Sequence, residues 1–245
     1  MTTAPAADQR RLLDVQELDT RLAQLAHKRR SLPALARLVE LDSQLADLDS
    51  ALVTSRTAAS DLRIEVAKAE TDVDQVRTRA ARNQQRLDGG QVGAKDAQAL
   101  TSELESLAAR QAHLEDVELE VMERLEAHEA VLRDLEQAQG ALVADRDKVV
   151  AERDAGYAEL DAEAARVRAE RERAADGLDA GLVALYERLR GQLGGSGAAA
   201  LRGNRCEGCR LDLNGQDLEA IRARPADAVV RCEECGRILV RLTDS

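Results

Sequence analysis

The chain contains almost no aromatic residues. Among its 245 residues there is no Phe and no Trp, and the only tyrosines are Tyr157 and Tyr186. Because globular cores of this size normally bury large aromatic side chains, the composition argues against one large globular domain. No apolar run approaches the roughly 20 residues of a membrane-spanning helix, and residues 1–11 lack the apolar core of a signal peptide. We therefore expect a soluble, cytoplasmic protein.

Cysteine is also scarce, and its placement is the strongest signal in the sequence. The four cysteines form two Cys-x-x-Cys pairs, Cys206 with Cys209 and Cys232 with Cys235. Structural zinc sites bind four thiolates in a closed tetrahedron, and two pairs at about this separation are typical of zinc ribbons. The pattern predicts one structural Zn²⁺ with these four cysteines as ligands, and no open position for a substrate.

Other cysteine chemistries are less well supported by the residues. Two disulfides would need an oxidising compartment, and the sequence shows no export signal. A redox-active Cys-x-x-Cys would need a neighbouring βαβ pattern, which is absent. Two alternatives stay open: iron in the same four-thiolate tetrahedron, and a reactive ribbon cysteine with a lowered pKa.

The abundant residues are Leu, Val, Ala and charged side chains, a composition typical of long helices and coiled coils. Between residues 38 and 87, seam positions recur at alternating steps of three and four, the a and d spacing of a coiled coil. Seven heptads follow this spacing, more than the three or four that a coiled-coil prediction needs. The seam residues are Leu38, Leu41, Leu45, Leu48, Leu52, Ser55, Ala59, Leu62, Val66, Ala69, Val73, Val76, Ala80, Asn83 and Leu87.

Glycines at 89, 90 and 93 end this run, and a second run with the same spacing starts near Lys95. A short loop between long helices makes them antiparallel neighbours. Pro33 interrupts the earlier part of the first run, because proline lacks the amide donor and clashes with the preceding turn. The sequence predicts a mainly α protein, with a long antiparallel coiled-coil hairpin followed by a small zinc ribbon that is β-rich with one short helix.

These patterns divide the chain into four parts. The linker is predicted to be flexible because it is rich in glycine, and the metal is predicted to contribute to folding because the ribbon has little apolar mass. The parts are a disordered tail (1–7), the hairpin (8–190, with a break near 31–33 and a tip near 88–95), the linker (191–197) and the C4 zinc ribbon (198–245).

Several segments together carry a family resemblance. They are Leu185-Tyr186-Glu187-Arg188-Leu189-Arg190, the glycine linker, Cys206-Glu-Gly-Cys209 and the stretch from Val230 to Leu239, with Val92, Lys95, Gln98-Ala99-Leu100 and Glu103 at the tip. With these segments the chain resembles the bacterial C4-type zinc ribbon domain family of coiled-coil proteins over nearly its whole length. It departs from the family at Gly93-Ala94 and Asp96-Ala97, where members often have two Asn and Glu-Tyr.

The resemblance implies a regulatory role. Members are linked to transcription and to flagellar or secretion control, through binding of the enhancer-dependent alternative sigma factor and, in some cases, messenger RNA. For this chain it implies a protein partner in the transcription machinery, with nucleic acid as a second kind of partner.

The residues themselves favour a non-enzymatic adaptor or regulatory protein that binds protein partners through its rod and ribbon. The sequence lacks a phosphate-binding glycine motif, a nucleophile with a His partner and an acidic cluster in a pocket-forming fold, and it indicates neither a small-molecule substrate nor a membrane. The alternative is RNA or DNA binding through the ribbon, although its basic and acidic residues balance, whereas phosphate binding usually needs a basic surface. The candidate arginines are Arg202, Arg205, Arg210, Arg222, Arg224, Arg231, Arg237 and Arg241.

The structural role of the metal gives a first prediction. Cys206→Ser or Cys232→Ser should unfold the last fifty or so residues and leave the hairpin helical, because the ribbon has too small a core to fold without its metal. Far-UV circular dichroism and limited proteolysis check this, and a ribbon that stays intact without metal would contradict the structural-zinc interpretation.

Overall fold

The structure is a computed structural model that describes residues 2–242. Its long helices, followed by a small strand-rich region at the C-terminal end, confirm the predicted fold class. Among the described residues, no helix is long and apolar enough to cross a membrane. In chain order the elements are α1 (Ala6–Arg30), α2 (Pro33–Asp88), α3 (Ala94–Ala175), α4 (Ala180–Gln192), β1 (Ala198–Arg202), β2 (Arg205–Cys206), α5 (Gly215–Arg222), β3 (Val230–Arg231) and β4 (Ile238–Arg241).

The chain divides into two compact units. We call residues 37–149 the hairpin unit, and the remaining residues, up to 36 and from 150 onwards, the base unit. The ribbon therefore belongs to the same unit as α1, α4 and the end of α3. The helix break lies in the base unit, where α1 ends at Arg30 and α2 begins at Pro33.

In the hairpin unit, the buried residues of α2 are residues of the predicted seam. Leu52, Ala59 and Val73 are almost completely buried, while ion pairs between α2 and α3 run along the edge of the seam. Three of them repeat every seven or fourteen residues: Arg56–Glu136 at 3.0 Å, Arg63–Glu129 at 2.6 Å and Arg77–Glu115 at 2.6 Å. They show that α2 and α3 pair antiparallel, because the residue number rises on one helix as it falls on the other.

The N-terminal residues form part of the fold. The prediction of a disordered tail at residues 1–7 is wrong for the described residues, since α1 already begins at Ala6. Before it, the Ala4 amide donates to the Asp227 carbonyl at 2.8 Å, and the Thr2 carbonyl accepts from the Val229 amide at 3.0 Å. These residues form an N-terminal strap on the ribbon, which sequence reasoning missed because its partner is more than two hundred residues away.

The segment predicted to be a flexible linker is also ordered. Gly191 and Gln192 are the last residues of α4, and the Gly195 amide donates to the Arg190 carbonyl at 2.9 Å. Gly197 is buried, and a Cβ atom at this position would lie only 2.7 Å from the Tyr186 carbonyl oxygen. The glycine therefore serves close packing here, and the prediction of flexibility is wrong.

The four strands form one sheet in the order β2-β1-β4-β3, with β1 and β4 parallel and the other pairs antiparallel. Both faces of this sheet are covered. On β4, Ile238 and Val240 pack in a core with residues of α1 and α4, whereas Leu239 packs in a second core that contains Cys206 and Cys232. The ribbon is therefore built onto the helices, and β4 buries Ile238, Leu239 and Val240 on its two faces.

A buried polar network joins the helices to β1. The Gln16 side-chain oxygen accepts from the Gly197 amide at 2.7 Å and from the Ala198 amide at 3.2 Å. One turn further, the buried Asp19 carboxylate accepts from the Tyr186 hydroxyl at 2.7 Å, from Arg171 Nε at 2.8 Å and from Arg190 Nη1 at 3.1 Å. Burial, and then the hydrogen bond to Asp19, raise the pKa of Tyr186 well above its ordinary value, so the hydroxyl stays a donor.

Gln16→Leu tests whether this network holds the ribbon on the helices. The substitution removes the acceptor of two buried backbone amides, each of which costs about 1–3 kcal/mol when left unpaired, so the free energy of unfolding should fall by roughly 2–4 kcal/mol. Denaturant unfolding measures the change. Gln24→Leu, at an exposed position of the same helix, is the matched control and should change it little; equal effects of both would contradict the account.

Candidate metal centre

The structure brings the four predicted cysteines together. Their sulfur atoms all lie within 4.8 Å of one another, with Cys206 Sγ and Cys235 Sγ 3.9 Å apart and Cys209 Sγ and Cys232 Sγ also 3.9 Å apart. Zinc–sulfur bonds of 2.3 Å in a tetrahedron place the sulfurs about 3.8 Å from each other. All four cysteines are free thiols in the structure, and their geometry fits one four-thiolate zinc site with no remaining ligand position.

Each cysteine pair lies in its own backbone turn, and the two turns are of the same type. In the first, the Arg210 amide donates to the Cys206 carbonyl at 2.8 Å, and in the second, the Gly236 amide donates to the Cys232 carbonyl at 2.8 Å. The residue after each second cysteine has a left-handed conformation, with φ of 61° at Arg210 and 72° at Gly236. Glycine adopts this conformation without strain, whereas Arg210 does so because the turn requires it.

An arginine precedes each pair and braces its turn. Arg205 Nε donates to the Arg210 carbonyl at 3.0 Å, and Arg231 Nε donates to the Gly236 carbonyl at 2.7 Å. The two turns thus have the same backbone conformation and the same arginine contact. Their sequences also repeat, as Arg-Cys-Glu-x-Cys at 205–209 and 231–235. By sequence alone both arginines are phosphate-binding candidates, and their bracing role is seen only in the structure.

The environments of the thiols differ. Burial raises the pKa of Cys206 to about 12, although the amides of Cys209 and Gly208 donate toward its sulfur. Burial also raises the pKa of Cys235, but hydrogen bonds from Arg237 and from the neighbouring thiols outweigh it and lower this pKa to about 7. Since a bound cation deprotonates its thiol ligands, these amides and Arg237 are suited to stabilise the Cys206 and Cys235 thiolates in a zinc site.

Arg237 also links the first turn to β1. Its Nε donates to Ser196 Oγ at 3.1 Å, and a Cβ atom added at Gly208 would lie 2.8 Å from Arg237 Cδ and 2.9 Å from Ala199 Cβ. Position 208 must therefore be glycine, because a larger residue would collide with the Arg237 side chain. Arg237 thus contacts both cysteine turns and the segment before the sheet.

The Arg241 side chain binds backbone carbonyl groups at the end of α5 and in the loop that follows it. Its two terminal nitrogens donate to five backbone carbonyl groups at 2.6–3.2 Å. The acceptors are Ile221, Arg224, Pro225, Ala226 and Ala228. Four of the eight candidate arginines, Arg205, Arg231, Arg237 and Arg241, therefore make contacts that hold the ribbon together, while Arg202, Arg210, Arg222 and Arg224 are exposed with no side-chain partner among the described residues.

The fold and the site together define a class: a protein with a long helical hairpin and a ribbon that carries a four-cysteine metal centre. The model of the CT398-like coiled coil hairpin domain matches residues 15–194, and the model of the C4-type zinc ribbon domain matches residues 205–239. The chain therefore belongs to the CT398-like coiled-coil hairpin family and ends in a C4-type zinc ribbon. This confirms the resemblance found in the sequence, and the cofactor is one structural zinc.

Similar proteins span nearly the whole chain. An uncharacterized protein of Mycobacterium tuberculosis is 38% identical over 239 residues, which are 98% of this chain and 97% of the relative. A solved structure from Mycobacterium smegmatis is 37% identical, covers 98% of this chain and 100% of its own, and has a TM-score of 0.88. CT398 from Chlamydia trachomatis is 19% identical with a TM-score of 0.71 over 96% of this chain and 98% of its own, and shares the fold.

Arg241→Ala tests the capping role of that side chain. Charge-assisted hydrogen bonds of this kind contribute about 1.5–3 kcal/mol, so zinc release to a chelator should become roughly tenfold faster or more if release needs local opening of the ribbon. A colorimetric chelator follows the release. Arg222→Ala, an exposed arginine on α5, is the matched control and should release zinc at the wild-type rate; an unchanged rate for Arg241→Ala would contradict the assignment.

Proposed function

We propose that this protein is a non-enzymatic adaptor whose four ribbon cysteines, Cys206, Cys209, Cys232 and Cys235, bind one structural zinc. The observation that supports this most is the closed arrangement of the four sulfurs, which fills a tetrahedron and leaves no position for a reacting molecule. The zinc then organises a surface, and the partner binds that surface and the helices.

The partner class follows from the family resemblance and the surface chemistry. Long helical hairpins act as spacers or as surfaces for other helices. The resemblance implies a protein of the transcription machinery, such as an alternative sigma factor. We therefore propose a regulatory role connected with transcription, exercised by a protein that works in the cytoplasm.

Nucleic-acid binding is the second candidate. The observation in its favour is the set of four exposed arginines that have no side-chain partner within the described part of the chain, Arg202, Arg210, Arg222 and Arg224. Against it stand the balanced charge of the ribbon and the structural roles of the other four arginines. RNA or DNA binding, if present, should depend on these exposed arginines and should weaken steeply with salt.

A pull-down of the tagged, zinc-loaded protein from its own cytoplasm separates the two candidates, with half of the sample treated with nuclease. The adaptor function predicts protein partners that survive nuclease treatment, RNA polymerase subunits or sigma factors among them. Nucleic-acid binding predicts co-purifying material that nuclease removes. Recovery of neither would contradict both proposals.

The matched variant in this experiment is Arg202→Glu combined with Arg222→Glu. Both side chains are exposed and have no partner among the described residues, so the zinc content should not change. Loss of nuclease-sensitive material with this variant assigns nucleic-acid binding to the ribbon. Unchanged capture of nuclease-resistant proteins by the same variant supports the adaptor function.

A further inference from the structure

One side of α2 in the hairpin unit carries an exposed apolar column. Its residues follow each other at intervals of seven, so they lie on one line along a coiled-coil helix. Val39 and Val53 are 70% and 63% exposed, the largest apolar side chains of this line. The apolar column consists of Val39, Ala46, Val53 and Ala67, with the small polar Ser60 completing the line. The line one residue further along the chain, about 100° around the helix, is polar throughout: Glu40, Asp47, Thr54, Asp61 and Lys68.

A charged column runs along one edge of the apolar column. It consists of Asp42, Asp49, Arg56 and Arg63, also seven residues apart. Residues three or four apart are neighbours on a helix surface, so Val53 lies between Asp49 and Arg56. The two acidic residues precede Val53 and the two basic residues follow it, so that the sign of the charge inverts at that position.

We propose that this face binds a second copy of the chain, antiparallel, across a two-fold axis at Val53. In that arrangement Val53 meets its own equivalent, and Val39 of each copy meets Ala67 of the other. Asp49 and Asp42 then lie opposite Arg56 and Arg63 of the second copy. A two-fold contact requires a patch that is complementary to itself, and this inverted charge order provides it. The proposal does not depend on the adaptor function.

The charge order also disfavours a parallel alignment of two copies. A parallel alignment in register would place Asp against Asp and Arg against Arg, which is unfavourable. Each charge already has a partner in its own hairpin, as in Arg56–Glu136, Arg63–Glu129 and Asp42–Arg146. Because the side chains of Arg56, Arg63 and Asp42 remain 54–55% exposed, they keep donors and acceptors open toward a second copy.

Helix α3 extends the apolar surface on the same side. Glu129 and Glu136 of α3 lie on this side of the unit, because they form ion pairs with Arg63 and Arg56 of α2. Val143 follows Glu136 by seven residues, so it lies on the same line of α3, and it is 43% exposed. From Val39 to Ala67 the apolar column is about 42 Å long at 1.5 Å per residue. Two hairpin units that meet along it form a four-helix arrangement of the kind found in helix bundles.

The mass of the zinc-loaded protein in solution tests the proposal. Sedimentation velocity should give twice the chain mass of 26.6 kDa for the wild type, and Val53→Arg should halve it, because two like charges then meet on the axis. Thr54→Arg, the adjacent residue on the polar line, is the matched control and should remain a dimer. Circular dichroism checks that both variants keep their helix content.

Two results would overturn the proposal: a monomeric wild type at 100 µM or so, or a Val53→Arg variant that is as dimeric as Thr54→Arg. If the wild type is monomeric and Val53→Arg instead loses a protein in the pull-down, the face belongs to a helix of that other protein.

Cross-linking tests the axis itself. In zinc-loaded protein, Val53→Cys should be joined to its own equivalent by a short bis-maleimide, whereas Thr54→Cys should not. A mixture of Val39→Cys and Ala67→Cys chains with different tags should give mainly the mixed product. Cross-links within the Val39→Cys sample alone, at the same yield, would show a parallel contact and contradict the two-fold axis.

Discussion

The structure of the base unit depends on one constraint, the burial of both faces of β1 and β4. The metal-bearing ribbon has only a small core of its own, formed by residues such as Leu201, Ile221 and Leu239. The opposite face of the same strands completes a second core with Leu12 and Tyr186. Because hydrophobic stabilisation grows with the apolar area removed from water, the helices supply burial that so short a segment lacks. The cysteine turns are held rigidly as a consequence.

Polar contacts then fix how the strands lie on the helices. Apolar packing is tolerant of small shifts, whereas a buried hydrogen bond is lost when its atoms move apart. Gln16 bonds to two consecutive amides at the start of β1, and the N-terminal strap bonds to the backbone before β3. Arg241 holds the carbonyls of the same loop from the side of β4. The ribbon is therefore attached to α1 through Gln16 at the start of β1, and to the N-terminal strap just before β3.

Local patterns predicted most of the fold and all of the metal-site residues. The heptad seam of α2, the glycine tip and the two Cys-x-x-Cys turns each depend on residues close together in the chain. The tail and the linker were predicted wrongly because their partners are remote: Ala4 bonds to Asp227, and Gly197 bonds to Gln16. Glycine content alone indicated flexibility at 191–197, whereas Gly197 permits the close approach of Tyr186 and Gly194 and Gly195 have positive φ. The bracing role of Arg205 and Arg231 was readable from the Arg-Cys-Glu-x-Cys repeat, but an arginine in a ribbon also fits phosphate binding.

The central claim is that zinc, ribbon and helical base form one cooperative structure. Hydrogen exchange on the whole chain, zinc-loaded and after removal of zinc with a chelator, tests it most directly. The account predicts that loss of zinc speeds exchange in the ribbon and also in the buried turns of α1 and α4, around Val15 and Tyr186, while the hairpin unit at 37–149 keeps its protection. Faster exchange confined to residues 198–242, with α1 and α4 unchanged, would contradict it and show that the ribbon folds as an independent module.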